Sequence, residues 1–511
     1  MSTLQKKDDE KHDVKQILPY PNYKDDSDCY IDLNQHGNAL LAKGAFGEVS
    51  LGIDKGDSSS NIHTPLHFVA IKTIPNAFIS PNTNKFNSTS WDFASSNLSA
   101  SSPEVETQPE YQLAKEVFCE ITALRLLTNI NKITPTDSTY KQGRTYITPL
   151  LSVFPTPSNS STTSHFYNYL PSTSISLVFP FCPASLFDIL LLRKYSFDKH
   201  YLEWKHLKLL FQDMICAIHH CHSHGILHRD IKPGNFLLSF NGVCQLTDFG
   251  LAKPISTPNN HVDEEKEEHA LGTIQYLSPE LLYGSKKHYF PSVDIFALGL
   301  VFIECISNHI FINGKNILDQ LSKTVQMVGT PGRPDLWPEA KSLPDFQKVG
   351  FPPHEPKDFS TLIPRLKEGE NGMTSLLAQM LQCDPRKRPS AKEILRHDWF
   401  QSQTSFLKVC NDKELRKRFM SELIHPSWYE PIPLDDRDVK NVSKVKKNAL
   451  EMLKQRRKFM ESFEGEWGNG YMQTTTTGGL NLEKKSNDQN KLFGRQHRPS
   501  GLLNALSKHD L

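Results

Sequence analysis

No stretch of this 511-residue chain approaches the roughly 18 uncharged apolar residues that a membrane-spanning helix requires. Its longest apolar runs, such as IFALGLVFIECI, have the length of a buried core helix. The N-terminal MSTLQKKDDEKHDVKQ lacks the apolar centre of a secretory signal. A disulfide framework is missing too: the nine cysteines are odd in number, scattered and without a CxxC pair, as expected in a reducing compartment. Nor is one sign of charge in surplus. With 58 Lys and Arg against 57 Asp and Glu, no global basic field exists for gripping nucleic acid. No internal repeat occurs. These absences point to a soluble intracellular protein that meets neither membrane nor, as a whole, nucleic acid.

What is present is unevenly spread. The length allows about two to four domains, and 38% hydrophobic with 10% aromatic residues suits a globular core beside a good deal of disordered chain. Residues 1–33 are polar and unpatterned, a loose tail by expectation. Between Ser80 and Thr107, 15 of 28 residues are Ser, Asn or Thr, too polar to fold alone. SNSSTTSH (158–165) interrupts a second patterned region in the same way.

Around these inserts LLAKGAFGEVSLG and HFVAIKTI predict strand, turn, strand, strand, and SISLVFPF (174–181) a buried strand. LAKEVFCEITALRLL (113–127) has helical spacing. From about residue 203 the pattern turns helical, with Leu207, Leu210, Met214 and Ile218 on one face. Strands first and helices later, with a short junction near 182–185, predict an α+β chain in two lobes. After Phe400 the signal weakens. Residues 440–458 hold eight Lys or Arg and one Glu, with Val442, Val445, Ala449 and Leu453 at helical spacing, and a low-complexity stretch follows. A basic helix packing on the second lobe, or serving as a nuclear-import signal, is the simplest reading; a nucleic-acid module is the alternative.

The chemistry lies in HRDIKPGN (228–235) and DFG (248–250), preceded by VAIK (69–72) and a glycine loop at 42–49. In that order and at those distances the motifs resemble a eukaryotic protein kinase over about residues 34–400. The resemblance implies the two-lobed kinase fold, with an N-lobe at 34–181 carrying the 80–107 insert, a C-lobe at 182–400, and an extension at 401–511 that is partly helical. It also implies ATP and Mg²⁺ as cofactors, since phosphoryl transfer demands positioning and charge neutralisation more than covalent chemistry.

Each site residue follows from the matching motif. Lys72 clamps the ATP phosphates and is held by Glu120 of the long helix, with Glu116, one turn earlier, as its rival. Asp230 orients or deprotonates the substrate hydroxyl, and Lys232, two places on, matches serine/threonine kinases. Asn235 and Asp248 are the Mg²⁺ ligands, oxygen donors that a hard cation prefers. Nucleotide contacts fall on Leu41, Ala42, Lys43, Gly44, Ala45, Phe46, Gly47, Glu48, Val49 and Ala70, then on gatekeeper Phe179 and on Pro180 and Cys182 of the hinge. Ala42 stands where the family has its first glycine; Gly44 and Gly47 remain for close approach of backbone to phosphate.

The resemblance further implies that Glu280 of SPE pairs with Arg388 and that Asp294 braces the catalytic loop. CAIHHCHSHGILH (216–228), with its two Cys and five His, tempts a zinc reading, but no second ligand cluster supports one and His228 is expected to bond backbone.

Within the family, MVGTPGRPDLWPEAKSLPDF (327–346), LVFPF and CHSHGILHRD resemble the cyclin-dependent kinase branch. Three departures mark the chain: KEVFCEI where that branch docks its cyclin, Leu277 after Tyr276, and Glu268 five places before Thr273, where an activating threonine is usual. The three arginines that grip the phosphothreonine correspond here to Cys119, Arg229 and Lys253, only two of them cationic. Glu268, with its single negative charge, suits such a pocket, and a solvated loop tip in DEEKEE (263–268) is the bland alternative. This combination resembles the fungal monomeric kinases that activate cyclin-dependent kinases. It implies protein substrates, cyclin-dependent kinases among them, and a cytoplasmic and nuclear setting; a cyclin partner is compatible with the family but not indicated by these residues. A cyclin-dependent kinase that needs a partner, and a pseudokinase scaffold, are the competing readings; the second requires damage at Lys72, Asp230, Asn235 or Asp248, which are all intact.

Overall fold

The computed structural model describes residues 30–34, 39–44, 47–54, 67–75, 77–79, 112–129, 145–155, 174–195, 201–255, 272–285, 290–368, 372–401, 413–424 and 442–461. The N-lobe is an antiparallel sheet in the order β1 (Tyr30–Asp32), β3 (Gly47–Asp54), β4 (His67–Ile74), β8 (Ile175–Pro180), β7 (Ser152–Pro155), with β2 (Leu40–Gly44) also paired to β3. The small strands β5 (Phe78–Ile79) and β6 (Gln112–Leu113) form a separate pair.

Its central strands are rich in β-branched and aromatic residues, and successive side chains serve opposite faces. Val69, Ile71 and Val178 gather with Phe154 on one face, whereas Leu177 and Phe179 join Ile121 and Leu124 of helix α1 (Lys115–Asn129) on the other. On α1 the residues Val117, Glu120, Ile121 and Leu124 are buried, as spacing of three and four residues requires. Glu116 is exposed.

After the hinge come β9 (Ala184–Ser185), α2 (Leu186–Tyr195) and the central α3 (Trp204–Ser223). Leu207, Leu210, Met214 and Ile218 of α3 are all buried. The catalytic segment is framed by four short strands: β10 (Ile226–Leu227), β11 (Phe236–Leu238), β12 (Cys244–Leu246) and β13 (Lys253–Pro254). Helix α4 (Ser292–Ser307) is buried from Val293 to Ile306, the mark of a helix with core on every side. It ends at Asn308 in the left-handed conformation, φ 56°, a common way to stop a helix. Phe302 of α4 stacks on Phe211 of α3 at 3.7 Å between ring centroids.

The folded unit does not stop near residue 400. Helix α5 (Lys413–Leu423) docks on the C-lobe through Arg416, whose Nη1 and Nη2 donate to Asp213 at 2.7 and 2.9 Å, and whose Nη1 also donates to the Gly242 carbonyl at 2.9 Å. A Cβ on Gly242 would lie 2.3 Å from the Arg416 carbonyl oxygen, so only glycine admits this approach. Helix α6 (Val442–Glu461) corrects the sequence expectation for the basic segment. Its Ala449 and Leu453 are buried on the N-lobe with Leu33, Leu51 and Ile53, while its Arg456 reaches Asp188 of the C-lobe, so the helix packs on both lobes. The expected tail boundary at 33 also moves, since Tyr30–Asp32 pairs with Gly52–Asp54 and Leu33 is buried beneath α6. The polar inserts, the acidic run at 263–268 and the low-complexity stretch after 461 lie outside the described residues or largely so.

Candidate active site

Three elements bring three charges together. Lys72 sits on β4 opposite Leu177 of β8, Glu120 on the buried face of α1, and Asp248 just after β12. Lys72 Nζ donates to Glu120 Oε1 at 2.6 Å and to Asp248 Oδ1 at 2.8 Å. Burial alone would drive Lys72 toward neutrality, yet the facing carboxylates of Asp248 and Glu120 outweigh it and hold the ammonium charged well above its ordinary range. For Asp248 burial also opposes the charge, but Lys72 prevails and brings the carboxyl down to about 2. Burial pushes the Glu120 carboxyl up, with Lys72 offsetting part of the shift. Asp248 has φ +63°, a left-handed conformation that few non-glycine residues adopt.

A second cluster surrounds Asp230. Lys232 Nζ lies 2.7 Å from Asp230 Oδ2. Asn235 Nδ2 donates to the Asp230 carbonyl at 2.7 Å and to Asp230 Oδ2 at 3.1 Å. Thr273 closes the ring: its backbone N–H and its hydroxyl both donate to Asp230 Oδ1, at 3.0 and 2.8 Å, while Lys232 Nζ donates to the hydroxyl at 3.2 Å. The sequence marks Thr273 only as a counting point in the activation segment. Its two bonds to Asp230 need the folded segment to become visible.

The loop carrying Asp230 is held from behind. Buried Asp294 on α4 accepts from the backbone N–H groups of His228 at 3.0 Å and Arg229 at 2.9 Å. Burial disfavours the Asp294 charge, but the bond to His222 and the neighbouring imidazoles and amides keep its carboxyl below the usual range. Arg229 takes φ +68° and donates from Nε to the Leu251 carbonyl at 2.7 Å. Lys253, on β13, pairs in register with Leu227. Glu268 lies outside the described residues. The activation segment is anchored at its far end, where Arg388 donates to both oxygens of Glu280 at 2.6 and 2.8 Å with neither side chain more than 2% exposed.

The histidines of the CAIHHCHSHGILH run have other duties. His220 Nε2 lies 2.9 Å from the Leu127 carbonyl of α1, His222 Nε2 2.9 Å from Asp294, and His228 Nε2 2.9 Å from the Thr247 carbonyl. Among the described residues no group of three or more His, Cys, Asp and Glu is placed to hold a metal ion.

Over the cleft, β2 and β3 form the hairpin of the glycine loop, with Ala42 opposite Val49, Lys43 opposite Glu48 and Gly44 opposite Gly47, and a register shift between Leu40 and Ala42. Ala45 and Phe46 at its tip lie outside the described residues. A Cβ on Gly47 would stand 2.2 Å from the Thr73 carbonyl oxygen, so this glycine is required by the packing of β3 on β4. Lys43 and Glu48 pair at the surface, 2.8 Å apart. Ala70 faces Phe179 across β4 and β8, and Pro180 and Cys182 lead into the C-lobe.

This arrangement has counterparts. The protein kinase domain family matches residues 106–400, which begins within the polar insert and leaves β1–β5 outside the match. Among solved structures, the chain is similar to one from the structure of the CAK complex from Chaetomium thermophilum bound to ATP-gamma-S. The two share 25% sequence identity and a TM-score of 0.52, over 74% of this chain and 92% of that one. With more than half its length matched and the Lys72–Glu120–Asp248 cluster assembled, the chain belongs to the protein kinase family.

Proposed function

We propose that this protein is an ATP-dependent serine/threonine kinase that phosphorylates the activation-segment threonine of cyclin-dependent kinases. The observation that carries the kinase half is the ion cluster of Lys72 with Glu120 and Asp248, which joins both lobes across the cleft. In this reading Lys72 steers the ATP phosphates and Glu120 keeps its ammonium aimed. Asp230 accepts a hydrogen bond from the incoming hydroxyl, and Lys232, 2.7 Å from Asp230, balances charge on the transferred phosphoryl group.

Asn235 and Asp248 are the donors for Mg²⁺. The Asn235 amide nitrogen is committed to Asp230, which orients the amide and leaves its carbonyl oxygen for a cation. Asp248 stays ionised with its carboxyl near 2, so the donor chemistry is that of a hard-cation site. Bound there, magnesium supplies charge neutralisation on the phosphate oxygens.

Preference for Ser or Thr rests on Lys232 and on Thr273, which occupy the floor where the substrate hydroxyl must arrive. The substrate assignment is supported by likeness to a chain of the CAK complex and by the cyclin-dependent-kinase-like insert at 327–346. The purified chain, made in bacteria and incubated with ATP, Mg²⁺ and a panel of unphosphorylated cyclin-dependent kinases, is expected to label their activation-segment threonine. Activity that appears only on adding a cyclin overturns the reading in favour of a partner-dependent kinase.

A further inference from the structure

Helix α6 touches both sides of the hinge. Ala449 and Leu453 are buried with Leu33, Leu51, Ile53 and the hinge residue Phe181, and Leu41 of β2 packs against the same cluster. Three residues beyond Leu453, Arg456 reaches the other lobe, where its Nη2 donates to Asp188 Oδ2 at 2.7 Å. The two side chains are 20% and 10% exposed, so the pair is largely shielded from solvent.

Asp188 is no passive partner. The same Oδ2 accepts from the backbone N–H and hydroxyl of Ser185 at 2.7 and 2.9 Å, and Ser185 Oγ accepts from the Asp188 N–H at 3.1 Å. This reciprocal cap fixes the first turn of α2 as it leaves the hinge. Ser185 in turn pairs with Leu237 on β11, the strand that follows Asn235. One rigid helix is thus clamped to β2 and β3 by its apolar face and to the base of the hinge by a charge. Any rotation of the lobes about Pro180–Cys182 must either drag Leu453 from its seat or stretch the Arg456–Asp188 bond.

We propose that α6 is a brace across the hinge and that Arg456 is a positioning residue for the nucleotide, setting how closely Leu41 is held over the first residues of the C-lobe. This inference rests on the ATP-dependent reading above. Its test uses the full chain with Arg456→Glu, Arg456→Lys and Leu453→Ala. The measurements are KM for ATP, KM for the protein substrate, kcat, calorimetric affinity for a non-hydrolysable ATP analogue, and amide hydrogen exchange over residues 179–185.

Arg456→Glu is expected to weaken nucleotide affinity about three- to tenfold, equivalent to about 0.7–1.4 kcal/mol. Its kcat and its KM for protein substrate should stay within about twofold of wild type, and exchange at the hinge should rise. Leu453→Ala shifts the same quantities in the same direction, and Arg456→Lys restores most of the affinity. Unchanged nucleotide affinity and hinge exchange in Arg456→Glu and Leu453→Ala overturn the brace, as does a parallel fall in kcat and in affinity for both substrates. If the wild-type chain binds no ATP analogue, the ATP-dependent reading fails by itself. Hinge exchange still reports on the brace in that case, with faster exchange supporting it and unaltered exchange sinking it.

Discussion

Replacing Arg416 by alanine tests whether the C-terminal extension belongs to the folded unit. Arg416 and Asp213 are each 2% exposed and meet through two hydrogen bonds of 2.7 and 2.9 Å. Without the guanidinium, Asp213 keeps among the described residues the Cys244 N–H at 3.0 Å as donor, and the Gly242 carbonyl loses its bond to Arg416. An uncompensated buried charge of this kind costs about 3–5 kcal/mol. At about 1–2 °C per kcal/mol for a unit of several hundred residues, the melting temperature should fall by about 3–10 °C. The assay is thermal unfolding of the full chain followed by circular dichroism. Asp213→Asn added to Arg416→Ala removes the stranded charge and should recover part of the loss, a coupling that the double-mutant cycle isolates. A fall of less than about 1 °C in Arg416→Ala, or a double variant no more stable than the single one, refutes the reasoning.

Two further outcomes follow from the site and its support. Asp230→Asn keeps an oxygen for the two Thr273 donors and the Asn235 bond to the backbone carbonyl but removes the carboxylate oxygen that Asn235 and Lys232 face, so kcat should fall by about 10²–10⁴; a loss below about tenfold contradicts the role given to Asp230. Burial lowers the pKa of His206 despite Glu422 Oε2 at 2.7 Å from its Nε2. Because the folded-state value lies below the unfolded one of 6.5, the unfolded chain takes up the proton first, and this contribution to stability is full above pH 6.5 and lost as pH falls through the folded pKa. In His206→Phe the decline in melting temperature between about pH 7.5 and 5.5 should be shallower than in wild type, and an identical slope argues against it.

The sequence exposes this site unevenly, and the reason is the range of each signal. Lys72, Glu120, Asp230, Asn235 and Asp248 stand out in the sequence because their motifs come in a fixed order, and the structure joins Lys72 to Glu120 and Asp248 in one cluster and Asn235 to Asp230 in another. Glu280 and Arg388, 108 residues apart, are legible through the same motif set. By contrast, Asp213 and Arg416 lie 203 positions apart, in stretches where neither belongs to a pattern. An arginine within KELRKRFMSEL looks like any solvated cation until the chain is folded. The apolar spacing of Ala449 and Leu453 announces a helix with one buried face, but periodicity cannot say which lobe that face meets. Tyr30–Asp32 is too short to show strand alternation, and its place depends on pairing with β3 and on the stacking of Tyr30 against Phe154, 5.9 Å between centroids.

The distance along the chain between Asp213 and Arg416 has a temporal meaning during synthesis. The 203 residues between them take about 10–40 s to make at about 5–20 residues per second. Throughout that interval the acid on α3 is already made and its base does not yet exist. Asp188 waits longer still for Arg456, which comes 268 positions later. The nascent C-lobe therefore completes its burial of these two acids only after α5 and α6 have been made.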